Sequence, residues 1–344
     1  MKLFFIIVAL LLILATALPL SRSKVWWVRG CDFPRIQIAF LLALSVATYP
    51  LFGKPPGMLE NVMFLALGLC LIYQIYMISP YTIITPKQVL PSMAPQKSSS
   101  VSLLFANVRM NNHDDHALKR IIRENDPDII LAVEPDDWWQ KAFQELGKTH
   151  PFTIQHPQDN TYGMLLYSRL PLVDPEIRFL VERDIPSVRT KVELRSGTQI
   201  ELYGLHPKPP FPSHEETSGQ RDSELLVAGK EIAQKKLPRI VLGDLNDVAW
   251  SRTNYRFQAI SGLLDPRVGR GFYSTFHAEY PFVRFPIDHV FHSEHFRLID
   301  FRRLPYFGSD HFPAFIELCY EVPGEVRDPG KVDSRANEPA SPKP

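Results

Sequence analysis

Three long apolar runs open the chain. Leu3–Leu20 holds no charged residue, and Ile36–Phe52 and Met58–Ser79 carry only Glu60 between them. Each approaches the ~20 residues needed to cross a hydrocarbon core. The pattern predicts about three transmembrane helices over residues 1–79. The first run also reads as a signal peptide, because Lys2 precedes it and Ala15-Thr16-Ala17 resembles a cleavage site. Residues 80–100 (PYTIITPKQVLPSMAPQKSSS) lack periodicity and read as a linker. Residues 323–344, rich in Pro and charge, read as a disordered tail.

Between linker and tail, residues 101–322 alternate short apolar runs with amphipathic stretches. Strands are expected at Val101–Val108, Ile129–Val133, Tyr162–Ser168, Ser187–Leu194, Gln199–Leu205, Arg239–Leu242, Ile287–Phe291 and Phe312–Leu318. Helices are expected at Asp114–Asn125, where Leu118, Ile121 and Ile122 share a face, at Trp138–Leu146 and at Arg221–Gln234. Strands outnumber helices and helices recur between them, the signature of a layered α/β domain.

Charge divides the chain. Residues 1–100 carry eight basic against two acidic residues, and the remainder carries 30 against 35. A duplex-binding domain normally shows a basic excess, so nucleic acid is a possible but not a favoured partner. The loop Ser21–Arg35 and the segment after the third run hold most of the early basic residues, which favours a cytoplasmic domain. The signal-like start points to the other face, and the side is left open. Cys31, Cys70 and Cys319 have neither metal-ligand spacing nor a disulfide framework. Oligomeric state is not legible.

Chemistry concentrates at strand ends. Asn107 ends the first strand, Glu134 follows the second, and His206 ends Gln199–Leu205. Asp244 and Asn246, within VLGDLND (Val241–Asp247), end the strand that begins at Arg239. Asp288 and His289 interrupt the apolar run Phe285–Phe291, and Asp310 and His311 precede the last strand. Ligands of open sheets gather at such rims. Carboxylate and amide oxygens without a thiolate suit a hard cation such as Mg²⁺ or Mn²⁺. Histidines beside acids suit proton transfer or phosphate contact. Together they fit metal-assisted cleavage of a phosphate ester.

The ordered set Asn107, Glu134, His206, GDLN (Gly243–Asn246), IDHVF (Ile287–Phe291) and SDHFP (Ser309–Pro313) resembles the endonuclease/exonuclease/phosphatase superfamily, in a membrane-anchored, bacterial-type form. Its members include deoxyribonucleases, sphingomyelinases and inositol-phosphate phosphatases. The resemblance covers roughly Val101–Leu318 and implies a four-layer α-β-β-α sandwich of two mixed sheets. It implies Glu134 as the main metal ligand, with Asn107 and Asp310 contributing. It implies that Asp244 orients or deprotonates the attacking water and that Asn246 helps hold phosphate or water. His311 would contact the scissile phosphate or transfer a proton, Asp288 would fix its ring, and His206 would stabilise phosphoryl charge.

Tyr162, Arg189 and Arg221 are candidate substrate contacts, with core packing or surface ion pairs as their alternatives. Asp247 reads as a turn or helix cap. His289 follows Asp288 on a strand, so it should face the other way. The proline-rich loop His206–Glu216 carries Phe211 beside the site, where it would approach a bilayer or an apolar substrate. Membrane lipids are therefore expected partners of a multi-pass membrane protein, and a lipid or lipid-linked phosphate is favoured as substrate. A membrane nuclease and a binding protein that lost the chemistry are the alternatives.

Overall fold

The fold was described from a computed structural model covering residues 2–49, 57–210 and 216–321. Phe211 and the expected tail lie outside these residues.

Eleven strands form two sheets. They are β1 (Ser100–Asn107), β2 (Ile129–Val133), β3 (Phe152–His156), β4 (Met164–Ser168), β5 (Leu172–Arg178), β6 (Ser187–Glu193), β7 (Gln199–Gly204), β8 (Arg239–Asp244), β9 (Asp288–His292), β10 (Phe296–Arg303) and β11 (Ala314–Tyr320). One sheet has the order β10-β11-β1-β2-β4-β3 and the other β5-β6-β7-β8-β9. Both are mixed: β1 runs parallel to β2 and β7 parallel to β8, and the remaining pairs are antiparallel.

The period of two explains the layering. Leu103 and Phe105 of β1, Leu131 and Val133 of β2, Leu202 of β7 and Leu242 of β8 meet in one core between the sheets. The alternate residues face outward. Leu104, Ala106, Ile130 and Ala132 pack under helices α5 (Asp115–Asn125) and α6 (Asp137–Ala142). Tyr203, Val241 and Phe291 pack under α7 (Gly219–Ala233) and α8 (Arg252–Ser261). The result is an α-β-β-α sandwich.

Ahead of the sandwich stand α1 (Lys2–Ala17), the short α2 (Trp26–Gly30), α3 (Arg35–Thr48) and α4 (Met58–Ile78). Leu12, Ile38, Leu42 and Leu67 pack α1, α3 and α4 into a bundle. Two of these segments, Leu3–Ser21 and Met58–Tyr81, are long and apolar enough to cross a membrane. The expectation of three is corrected here. Helix α3 is 14 residues long, about 21 Å at 1.5 Å per residue, and Pro50 follows where a helix interior tolerates proline poorly. The presumed linker is not free of the sandwich either. Val89 lies in the inter-sheet core and Leu90 O accepts from Leu298 N at 3.0 Å.

One buried acid in this fold carries a pH signature. Glu224 of α7 is almost fully buried, and its Oε1 has no hydrogen-bond partner among the described residues. Burial, with Glu182 adding repulsion, pushes its carboxyl up to about 8 from an ordinary 4.5. The native state therefore holds this proton where the unfolded chain releases it. Its contribution is greatest below pH 4.5 and is lost as pH rises towards 8, by on the order of 4 kcal/mol. Glu224→Gln should melt higher than the parent at pH 8–9 and match it near pH 4.5. Parallel melting curves across that range would disprove the assignment.

Candidate active site

The strand period that builds the core also builds the site. Continuing the core-facing series by one step gives Asn107 after Phe105, His206 two beyond Gly204, and Asp244 after Leu242. All three leave the carboxyl ends of strands in the two parallel pairs. Asp288 opens β9 on the face that Val290 shares with the core. The polar cluster is thus the last rung of the inter-sheet ladder. Glu134 follows the core-facing Val133 directly, so alternation alone would turn it outward. Its positive φ of 63° re-aims the side chain.

Gly243 permits the close approach on which this depends. Its φ is +154°, and a Cβ there would lie 1.8 Å from Leu205 O. Only glycine lets β8 pass that near the end of β7.

Asn107 Nδ2 donates to Glu134 Oε1 at 2.8 Å and to Asp244 Oδ2 at 3.2 Å. Its Oδ1 accepts from Arg109 N at 3.0 Å. The amide nitrogen therefore aligns two carboxylates, while Oδ1 accepts one backbone N–H and keeps a second lone pair. His206 Nε2 stands 3.8 Å from Glu134 Oε1. Asp244 and Asp288 are direct cross-strand partners on β8 and β9, an arrangement that repels. His311 relieves it, with Nδ1 at 2.9 Å from Asp288 Oδ2 and Nε2 at 3.5 Å from Asp244 Oδ2.

The electrostatics follow. Burial pushes Asp244 up to about 7, with Asp288 adding to the shift and His311 opposing it. Burial also raises Glu134. Burial alone would lower His311, but Asp288 and Asp244 outweigh it and hold the imidazole up at about 10. His311 is then held as a cation, hydrogen-bonded through Nδ1 to Asp288 and with Nε2 within ion-pair distance of Asp244. Its backbone is fixed too: Ser309 Oγ donates to Asn107 O at 2.7 Å and accepts from His311 N at 3.1 Å.

Two overlapping groups can hold a metal ion, Glu134 with His206 and Asp244, and Asp244 with Asp288 and His311. The donor set fits a hard divalent cation. Glu134 and Asp244 are oxygen donors raised by burial, and Asp288 Oδ1 is buried without a partner. Asp310 lies outside both groups, 4.0 Å from Arg109 Nε, and its charge still acts on Glu134 and His311.

Other expectations change. Asn246 Nδ2 donates to Pro207 O at 3.0 Å, tying its loop to the end of β7. Tyr162 is buried with its ring 5.6 Å from that of His206, a wall of the site. Arg189 is engaged by Glu201 at 3.0 Å and by Glu176 and Glu231 at 3.7 Å, so it is an ion-pair residue rather than a substrate contact. Arg221 is fully buried and lies behind the Asp244–Asp247 loop, donating to Asn246 O at 2.7 Å and pairing with Asp247 at 3.0 Å. His289 faces the helix layer. Arg267 can only donate to its Nδ1 (2.6 Å) and Asp247 O can only accept from its Nε2 (2.8 Å), which sets a neutral ring protonated on Nε2.

Sequence reading missed Arg29. This α2 residue is buried, 2.8 Å from Asp32 and 3.7 Å from Asp247. One of four basic residues in the Ser21–Arg35 loop carries no signal of so distant a partner.

A sandwich of two mixed sheets with acids and histidines at one end of the inter-sheet core defines a class of hydrolase fold. Residues 104–311 match the model of the Endonuclease/Exonuclease/phosphatase family, and the chain belongs to that family. Among solved structures, the human Nocturnin catalytic domain with bound sulfate is 17% identical, with a TM-score of 0.54, covering 70% of this chain and 99% of that one. An endonuclease/exonuclease/phosphatase from Beutenbergia cavernae is 16% identical (TM-score 0.52; 65% and 72% covered). D. rerio TDP2 complexed with a single-strand DNA product is also 16% identical (TM-score 0.51; 64% and 99% covered). At these identities the likeness is one of fold. No curated protein sequence matches the chain.

Proposed function

We propose that this chain is a membrane-anchored hydrolase of phosphate esters that works with a divalent cation, Mg²⁺ or Mn²⁺, on a lipid or lipid-linked phosphate. The observation that carries the chemistry is the buried His311 cation held between Asp288 and Asp244, beside the Glu134–Asn107 pair. Glu134, with Asp244 and His206 in reach, would hold a cation, which would supply positive charge to the phosphoryl oxygens. His311 presents a preorganised donor to the same charge. Asp244 offers a carboxylate to orient the attacking water, and Asn107 holds it in line with Glu134.

Anchoring is supported by the outside of the helical bundle. Leu3, Phe4, Leu10, Leu11 and Leu14 of α1, and Leu59, Leu65, Leu69, Ile72 and Tyr76 of α4, are large, apolar and exposed. A continuous apolar exterior of this kind is a surface for lipid. It also makes a membrane substrate the nearest one.

The test uses the full chain in detergent or nanodiscs. Hydrolysis is measured with Mg²⁺, Mn²⁺ or chelator on an isoprenoid pyrophosphate, a phospholipid, sphingomyelin, an inositol phosphate, and single- and double-stranded DNA. Metal-dependent cleavage of one lipid class is expected. Cleavage of DNA alone would move the chain to a nuclease, and saturable metal binding without turnover to a binding protein. Glu134→Gln should raise the metal concentration for half-maximal activity at least tenfold. In chelator its melting temperature should equal or exceed the parent's, because it removes one of several crowded acids. Unchanged metal dependence would remove Glu134 from the site.

A further inference from the structure

An open groove of ≈690 Å³ lies where the helical bundle meets the sandwich, lined in part by Ile36, Phe272, Pro281, Arg284, Arg302 and Arg303. Its walls are apolar and its charged members are three arginines; no acid lines it. Arg302 is neutralised by Asp300 at 2.5 Å. Arg284 and Arg303 are not. Among the described residues neither has a carboxylate within ion-pair distance. They donate to carbonyl oxygens instead, Arg284 to Ala278 O at 3.2 Å and Arg303 to Ser274 O at 2.9 Å. Both guanidiniums lie over the same ring, Phe312, at 5.0 and 4.3 Å from its centroid. Arg284 Nε is buried without a partner. Two like charges gathered on one aromatic ring, without a counter-ion, make a seat for an anion.

The groove's position selects the anion's source. Ile36 is in the first turn of α3. At this end of the bundle Arg35 Nη1 bonds Gln74 Oε1 at 2.9 Å and Gln74 Nε2 bonds Thr16 Oγ1 at 3.1 Å. The end of α1, the start of α3 and the end of α4 therefore share one level. A bilayer around α1 and α4 has its headgroup layer there. The segment Phe276–Phe285, whose ends bridge each other, walls the groove and reaches the same level, since Gln37 Nε2 donates to Phe282 O at 2.9 Å and the Phe282 side chain is 86% exposed. On its inner side this segment meets the candidate site's Asp310 and His311, with Ala278 N bonded to Asp310 O at 2.7 Å and Phe276 bridged to His311.

We propose that this groove binds the headgroup phosphate of an anionic membrane phospholipid, through Arg284 and Arg303. The lipid is a docking ligand that seats the sandwich against the bilayer, with its glycerol and upper acyl segments along Ile36, Phe272 and Pro281. The inference rests on the membrane anchoring proposed above.

The full chain in non-ionic detergent is titrated with dioctanoyl phosphatidylglycerol, dioctanoyl phosphatidylcholine and inorganic phosphate, and binding is read from the shift in melting temperature. Saturable stabilisation by phosphatidylglycerol alone is expected. Arg284→Gln and Arg303→Gln should each weaken it roughly fivefold, the factor equal to the ~1 kcal/mol of one basic residue at an anionic surface. Arg302→Gln, already neutralised, should weaken it less than twofold. Unchanged affinity in the first two variants would overturn the site. Equal binding of phosphatidylcholine would overturn headgroup recognition, and equal binding of inorganic phosphate would overturn the lipid. Alkaline carbonate extraction of membranes tests anchoring separately: release of the full chain would end that reading, while the micelle affinities still decide whether the groove is a lipid site.

Discussion

Replacing His311 with alanine is expected to lower turnover of a phosphate ester by about 10²–10⁴-fold. The ring is buried, and each of its nitrogens faces a carboxylate, Asp288 at 2.9 Å and Asp244 at 3.5 Å. These carboxylates hold it protonated up to about 10, against the pull of burial. Alanine removes the cation and leaves Asp244 and Asp288 opposed across β8 and β9 with nothing between them. Asp244 would then take up a proton at neutral pH and lose its value as a water-orienting carboxylate. Two functions fail from one substitution, so kcat should fall and KM change little. Asp288→Asn should produce a smaller loss of the same kind, because an amide still meets the ring but no longer stabilises its charge. The checks are kcat and KM on a soluble aryl phosphate ester, with metal affinity measured in parallel. A loss confined to KM would reduce His311 to a binding residue.

The parts of the fold legible in the sequence were strands buried on both faces and elements with a regular one-sided pattern, such as β6 and α5. Ile129–Val133 is buried at every position and its bounds could be read directly. The strands that pattern reading missed, β3, β5 and β10, are all sheet edges. Strand β3 exposes Phe152, Thr153 and Gln155, and keeps only Ile154 fully inside. Strand β5 contains Pro175, and its register slips between Val173 and Glu176; a proline is tolerated only at such an edge. Strand β10 slips between Leu298 and Asp300, which breaks the alternation. Helix α8 was missed because Thr253, Asn254 and Ser261 share its buried face with Phe257.

The site shows the same division. Asn107, His206, Asp244 and Asp288 were legible because they continue or open core-facing strand positions. The roles of Arg189 and Arg221 were not, because a sequence gives a charge without its partner. Glu201 claims the first, and Asp247 with Asn246 O claims the second. The third span failed on length, which composition alone does not measure once a proline follows.

The largest effect on stability is expected from Arg29, outside both the sandwich and the apolar runs. Asp247 is fully buried directly after the Asp244–Asn246 turn of the candidate site, and burial raises its carboxyl despite Arg221 and Arg29. Arg221 pairs with Asp247 and also holds Asn246 O, while Arg29 reaches the same carboxylate from α2. The N-terminal segment thus supplies a charge to the back of the active-site loop. Trp250 Nε1 donating to Asp32 O and Tyr81 Oη donating to Ala249 O, both at 2.8 Å, fasten the same junction. Arg29→Ala leaves Asp247 with one cation in place of two, and breaking a buried pair from one side costs about 3–5 kcal/mol. The full-length variant should melt several degrees lower and lose turnover, because the Asn246 turn loses its backing. Asp247→Asn in the same chain should restore part of both, since the amide needs no second cation. A double-mutant cycle measures that restoration as coupling. Strict additivity would show that Arg29 acts only through Asp32 and the packing of α2. Coupling would mean that a sandwich made without residues 1–100 lacks part of its own catalytic loop's support.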